Sequence, residues 1–218
     1  MEKLLKDRFE AGELLASRLF SYKDRADVVV LALPRGGVPV GYALAKKLGV
    51  ALDIISVRKL GAPGDEELAI GAITTSGLCV MRAEMMEIID ISEEEIEAIA
   101  HREQLEAERR EKLYRAGRGK LDLQDMVAII VDDGLATGAT MLTAIRAARQ
   151  LHPKKIIVAL PVAASDSRDE IEREVDVLVC LRFPKPFNSV GSWYENFTQT
   201  PDAEVVRLLT QSKQICRV

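Results

Sequence analysis

Short apolar runs alternate with amphipathic stretches along much of the chain. Asp27 to Leu33, Leu52 to Val57, Val127 to Val131, Ile156 to Val162 and Asp176 to Leu181 are dense in Val, Ile, Leu and Ala. That is the pattern of strands buried on both faces. Helical periodicity follows in Val40 to Leu48, closed by Gly49 as a C′ residue, in the segment that runs through Gln150, and in Asp166 to Glu174. Strands alternating with helices predict an α/β protein, a Rossmann-like parallel sheet with helices on both faces. Ahead of the first strand, Leu4, Leu5, Phe9, Leu15, Leu19 and Phe20 share one face of a packing helix over residues 1–20.

The middle of the chain departs from this rhythm. Leu68 to Thr74 and Leu78 to Met81 predict two strands joined at Thr75-Ser76-Gly77, as in a hairpin. Ala83 to Ile89 reads as a short helix. Ser92-Glu93-Glu94-Glu95 is a capping box that opens a long charged helix reaching Ala116 and ending at Gly117. Its apolar positions are sparse. Residues 83–118 are therefore expected to be an inserted helical arm, serving either as a lid or as the contact of a homodimer. His101 on that helix reads as a surface residue. Residues 182–218 form a hood or tail with a C-terminal helix over Ala203 to Thr210, and the whole of 1–218 reads as one domain.

Composition narrows the function. The 218 residues are 48% hydrophobic, enough for a sizeable core, and 30 basic against 34 acidic side chains leave a net charge of −4. That balance argues against nucleic acid as a principal partner. Cys79, Cys180 and Cys216 are far apart and form no CxxC pair, so nothing suggests an oxidising compartment. No apolar run has membrane-spanning length and the N-terminus has no signal core. A cytoplasmic protein without a membrane partner is the expectation.

The chemistry concentrates after the strand Val127–Val131. Asp132 and Asp133 end it, a turn of small residues from Gly134 to Thr140 follows, and a helix begins. A turn that opens a helix presents free backbone N–H groups at the positive end of the helix dipole, an anion site. Gly138 allows close approach, and Thr137 and Thr140 add hydroxyls. A Walker loop is excluded because the Lys that should follow the second glycine is missing. Two carboxylates beside a phosphate would repel it unless they held sugar hydroxyls or Mg2+. Two further basic sites lie nearby in sequence: Arg35-Gly36-Gly37 after the first strand, and Arg58-Lys59 before the Gly61 to Glu67 stretch, which reads as a mobile loop. No G-x-G-x-x-G occurs, which disfavours a dinucleotide.

The stretch Val131-Asp-Asp-Gly-Leu-Ala-Thr-Gly-Ala-Thr140 resembles the phosphoribosyl pyrophosphate (PRPP) motif of type I phosphoribosyltransferases. The resemblance spans roughly residues 27–182 without the arm. It implies that Asp132 and Asp133 hold the ribose hydroxyls and Mg2+, and that Gly134, Leu135, Ala136, Thr137, Gly138, Ala139 and Thr140 hold the 5′-phosphate. It further implies that Arg35, Gly36, Gly37, Arg58 and Lys59 meet pyrophosphate, with Asp132, Asp133, Arg58 and Lys59 as the catalytic set. The implied reaction passes 5-phosphoribosyl from PRPP to a nitrogen nucleophile, a nucleobase or related small molecule, and releases pyrophosphate. Two departures bear on the acceptor. Ala136 stands where enzymes for 6-oxopurines carry Asp, and Leu160-Pro-Val-Ala-Ala164 offers no Lys, so hypoxanthine and guanine are not expected. The turn is closer to that of adenine phosphoribosyltransferases, and the rest of the chain is most similar to uncharacterised bacterial members of the family. The aromatics Phe183, Trp193 and Tyr194 in the tail are either packing anchors or a wall for a base. The same fold also serves PRPP-sensing regulators that do not turn over, and a hydrolase of PRPP or a nucleotide is a third reading.

Overall fold

A computed structural model describes residues 4–213, apart from the side chains of Glu66 and Glu67. The first three residues of the expected N-terminal helix, Cys216, and the end of the tail beyond residue 213 lie outside the described residues. So do the side chains of the two glutamates expected in the mobile loop.

Five strands form the parallel sheet: β1 (Val28–Ala32), β2 (Ala51–Ile54), β6 (Val127–Val131), β7 (Lys155–Leu160) and β8 (Val177–Cys180), in the order β2-β1-β6-β7-β8. Their side chains alternate between two cores, as strand geometry requires. Val28, Val30 and Ala32 of β1 and Val127, Ile129 and Val131 of β6 face one core, with α1 (Arg8–Arg18), α2 (Gly37–Leu48) and α7 (Asp202–Ser212). Val29, Leu31, Ala128 and Ile130 face the other, covered by α5 (Ala139–Arg149) and Ile171 of α6 (Arg168–Glu174). Every residue of β1 and β6 is buried. The doubly wound α/β architecture expected from the apolar runs is the one observed.

The structure corrects three expectations. The first helix starts at Arg8, because the Asp7 side chain accepts the Glu10 N–H and caps it. Leu5 upstream is extended, and its N–H donates to the Trp193 carbonyl while the Glu195 N–H donates to the Leu5 carbonyl. The N-terminus and the tail thus form one unit.

The second expected strand splits in two. β2 ends at Ile54, and β3 (Val57–Ala62) belongs to a separate antiparallel sheet with β4 (Asp65–Thr74) and β5 (Cys79–Met81). Arg58 and Lys59 therefore lie within β3 rather than at the end of a parallel strand. The expected mobile loop is the tip of the β3–β4 hairpin, turned at Gly64 with φ of 79°.

The short helix α3 (Ala83–Ile88) and the long helix α4 (Glu93–Tyr114) follow, and the Ser92–Glu95 capping box is formed. α4 packs along the second sheet and reaches α7. Ile99 joins Leu60, Ile70 and Ile73 in a small core over the second sheet, and the Tyr114 hydroxyl donates to Asp202 Oδ1 of α7 at 2.7 Å. Burial and that bond push the Tyr114 pKa up to about 12. Just beyond α4, Arg115 donates to both Asp53 oxygens and Arg118 to the Leu52 carbonyl. These bonds occupy polar groups along β2, an edge strand that would otherwise be open to further pairing.

α1 crosses α2 at Gly12, where a Cβ would collide with the Val40 carbonyl oxygen and stand 2.8 Å from the Ala43 Cβ. Gly12→Ala is therefore expected to destabilise the fold by about 1–3 kcal/mol. Thermal unfolding followed by circular dichroism checks this, and an unchanged or higher Tm would contradict it.

Candidate active site

The carboxyl ends of β1 and β6 lie side by side, with Ala32 opposite Val131. Each strand leads into a polar turn. After β1, the loop Pro34–Gly37 enters α2 through a cis peptide between Pro34 and Arg35. Its two glycines are needed for space and not for an unusual backbone angle, since Gly36 has φ of −60°. A Cβ on Gly36 would collide with Asp133 Oδ2, and one on Gly37 would come 2.8 Å from the Val131 carbonyl oxygen. The expected Gly-Gly loop and the expected acidic pair are thus in direct contact.

The two carboxylates differ. Asp132 Oδ1 accepts the Asp133 backbone N–H at 2.8 Å, and Asp132 lines a cavity of about 190 Å³ together with Gly134, Leu135, Ala136, Thr137, Gly138, Thr140, Met141 and Val190. Asp133 turns the other way. Its Oδ2 accepts from Arg8 Nε and Nη2, each at 2.7 Å, and the Tyr194 hydroxyl donates to its backbone carbonyl at 2.5 Å. Burial raises the pKa of both carboxyls. For Asp132 the neighbouring Asp133 charge adds to the rise, whereas Arg8 opposes it at Asp133.

The turn from Gly134 to Thr140 is held from behind. The Leu135 N–H donates to the Val162 carbonyl and the Ala164 N–H to the Leu135 carbonyl, while the Ser167 hydroxyl donates to the Ala136 carbonyl at 2.8 Å. Gly138 takes φ of 82° and ends the turn, and no side chain caps the start of α5. The first N–H groups of that helix have no intrahelical acceptor, so they form an anion-binding end. A second cavity of about 470 Å³ shares Ala136 and Thr137 with the first.

A family model for the phosphoribosyl transferase domain matches residues 3–197. The chain belongs to that family. Two proteins of Mycobacterium tuberculosis, each carrying a provisional phosphoribosyl transferase name, are 41% identical to it over 210 residues. The match takes in 96% of this chain and 47% of theirs, so the chain spans about half the length of the curated relatives it matches. The crystal structure of TT1426 from Thermus thermophilus superposes with a TM-score of 0.78 at 36% identity, over 95% of this chain and 98% of that one. An Aquifex aeolicus protein at 13% identity and a TM-score of 0.51, over 84% of this chain and 78% of that one, shares the fold alone.

Within this phosphoribosyltransferase-type domain, the other expected residues are placed as follows. Arg35 follows β1 and pairs with Asp202 of α7 at 3.5 Å. Arg58 donates from Nε and Nη2 to Glu103 Oε2 of α4, at 3.0 and 2.7 Å. Lys59 is its half-buried neighbour on β3. Among the tail aromatics, Tyr194 is 5% exposed in a core cluster with Leu5 and Val162, with no face open to a base. Phe183 packs against the β-sheet core under the Arg168 guanidinium. Trp193 packs with Phe187, Val190 and Phe197. For Tyr194 the anchoring reading replaces the base wall. Val190 of the tail lines the 190 Å³ cavity and presses on Gly134.

Nothing in the sequence marks Arg8 as a site residue: its place at the first position of α1 becomes visible only with the Asp7 cap, and there a basic residue opposes the helix dipole, so a distant partner must favour it.

No cluster of three or more His, Cys, Asp or Glu with metal-binding geometry occurs among the described residues. Of the acidic pair, Asp132, with no cation among the described residues bonded to it, fits an ion such as Mg2+ that takes most of its ligands from water and substrate phosphates. No helix among the described residues is long and apolar enough to cross a membrane.

The two carboxylates should respond oppositely to substitution. Above the ordinary carboxylate pKa of about 4, the unfolded chain releases the Asp132 proton while the folded chain, its pKa raised, retains it; stability falls with rising pH until the folded pKa is passed. Asp132→Asn removes this cost, so its Tm is expected to exceed that of the parent at pH 7 and to converge with it below about pH 4. Asp133→Asn leaves the buried Arg8 cation unpaired and is expected to cost about 3–5 kcal/mol at pH 7. Thermal melts of both variants at the two pH values check this, and equal losses would contradict it.

Proposed function

We propose that the chain transfers 5-phosphoribosyl from PRPP to a nitrogen nucleophile, a nucleobase or related small molecule, with release of pyrophosphate in a Mg2+-dependent reaction. The observation that carries this reading is the uncapped start of α5 behind Gly138, opening on a cavity whose rim bears the Asp132 carboxylate. Phosphate suits the helix end, and sugar hydroxyls suit the carboxylate, 5′ and 2′/3′ ends of one substrate. The backbone N–H groups and the Thr137 and Thr140 hydroxyls would bind the 5′-phosphate. Asp132 would accept from ribose hydroxyls. Gly36 and Gly37 leave backbone room beside the acidic pair for the leaving group.

In the reaction, the C1–O bond to pyrophosphate breaks and its electron pair leaves with the oxygen. The acceptor nitrogen supplies the pair for the new C1–N bond, and its proton passes to the departing phosphate or to water. Bound Mg2+, held by Asp132 with substrate oxygens, would supply charge neutralisation on the pyrophosphate. Arg35 and Arg58 would add fixed positive charge after exchanging Asp202 and Glu103 for pyrophosphate oxygens.

The same site would serve a sensor that binds PRPP without turnover, because fold and ligand site do not fix turnover. Phosphorus NMR of PRPP with Mg2+, alone and with a pool of nucleobases and amines, separates the readings. Pyrophosphate that appears only with one acceptor is expected. Pyrophosphate without an acceptor, above the spontaneous rate, indicates a hydrolase, and PRPP broadened without conversion indicates a sensor. Gly138→Ala tests the cradle: a Cβ at φ of 82° costs roughly 1–2 kcal/mol and is expected to weaken Mg2+–PRPP binding at least tenfold by calorimetry. Unchanged affinity would remove this turn from the site.

A further inference from the structure

Asp133 is held through Oδ2 and through its backbone carbonyl. Its Oδ2 meets two nitrogens of Arg8 at 2.7 Å and faces Gly36 with no room for a Cβ. Its carbonyl accepts from Tyr194. Arg8 is equally fixed: Nη1 donates to the Thr198 carbonyl at 2.7 Å, and its guanidinium lies 3.9 Å over the Phe197 ring. The paired side chains are only 10% and 15% exposed. This is a pair held by three elements, α1, the β6 turn and the tail, and not a surface ion pair of marginal strength. Asp132, in contrast, accepts only the Asp133 backbone N–H among the described residues, with no cation bonded to it, and lines the cavity.

Two adjacent unpaired carboxylates would make a divalent-cation site by themselves, and would repel a polyphosphate when no cation is bound. Arg8 removes one of these charges without touching the cavity lining. We propose that Arg8 is a positioning residue of the ligand site: its guanidinium is a built-in counter-ion that withdraws Asp133 from cation binding, so that the pair meets its ligand with one carboxylate, Asp132. The N-terminal helix thereby sets the charge of a turn more than a hundred residues away, and ties it to the tail segment that supplies Thr198 and Phe197. This inference rests on the phosphoribosyltransferase reading for the identity of the ligand, but the state of the carboxylates is testable without that ligand.

The test is Mn2+ binding to the full chain at neutral pH, followed by electron paramagnetic resonance with no PRPP present. The parent protein is expected to bind Mn2+ with a Kd weaker than about 1 mM. Arg8→Met frees Asp133 and is expected to bind Mn2+ at least tenfold more tightly. Arg8→Met combined with Asp133→Asn returns the affinity to the parent value, and Arg8→Lys, which keeps the charge, leaves it weak. A merely structural Arg8 would not produce a gain in cation affinity that a second substitution reverses. A folded Arg8→Met variant with parental Mn2+ affinity would overturn the proposal. So would tight Mn2+ binding by the parent protein, a result that stands even if Arg8→Met does not fold. Failure of the parent to bind Mg2+–PRPP in a separate titration would sink the phosphoribosyltransferase reading and leave the Mn2+ comparison intact.

Discussion

The organisation of the site depends on a carboxylate taken out of water. Asp133 lies where two parallel strands end beside each other, against Gly36, where any side chain would collide with it. A buried carboxylate without a partner is costly, and a bidentate guanidinium with further acceptors is the arrangement that compensates it best. Arg8 fills that role and is itself held: the Asp7 cap starts α1 at it, the Phe197 ring lies under its guanidinium, and the Leu5–Tyr194 pairing and the Gly12 crossing of α1 on α2 fix the elements on either side.

The same economy of charge extends across the rim of the sheet. Asp202 of α7 gathers Arg35, Arg109 and the Tyr114 hydroxyl, and the Tyr114 bond heads the causes that hold its pKa below the usual carboxylate value. Glu103 of α4 pairs with Arg58. Cations expected to meet pyrophosphate thus have carboxylate partners on two helices that pack against each other at Tyr114 and Asp202. A long charged helix that looked like an appendage is, in this arrangement, a source of counter-charge for the second sheet and for α7. Ligand binding that exchanged these partners would be felt along α4.

Much of this was legible in the sequence. Apolar runs of five residues are too short for a helix and read as strands buried on both faces, and β1 and β6 bear it out. The capping box of α4 and the C′ role of Gly49 are local signals, and local signals survive folding. The succession of strand, acidic pair, small-residue turn and helix was legible because its parts are contiguous in the chain. The failures are non-local. Leu52 to Val57 is mostly apolar, with Asp53 and Ser56 its polar positions, and nothing within six residues tells whether a strand continues or passes into a second sheet. The loop after Arg58 carries turn formers, which suit a hairpin tip as well as a mobile loop. Arg8 and Asp133 are 125 positions apart, and with the start of α1 not located in the sequence nothing there hinted that this arginine had a distant partner. Tyr194 showed its ring in the sequence, but not that its hydroxyl is used by the Asp133 carbonyl.

The most direct measurement of the central claim is a crystal structure of the chain with Mg2+ and a non-reactive PRPP analogue. The account predicts the 5′-phosphate on the backbone N–H groups from Ala136 to Thr140, ribose hydroxyls or cation on Asp132, and the Arg8–Asp133 pair intact. A complex in which Asp133 has left Arg8 to bind ribose or cation, or in which the phosphate sits elsewhere, would contradict it.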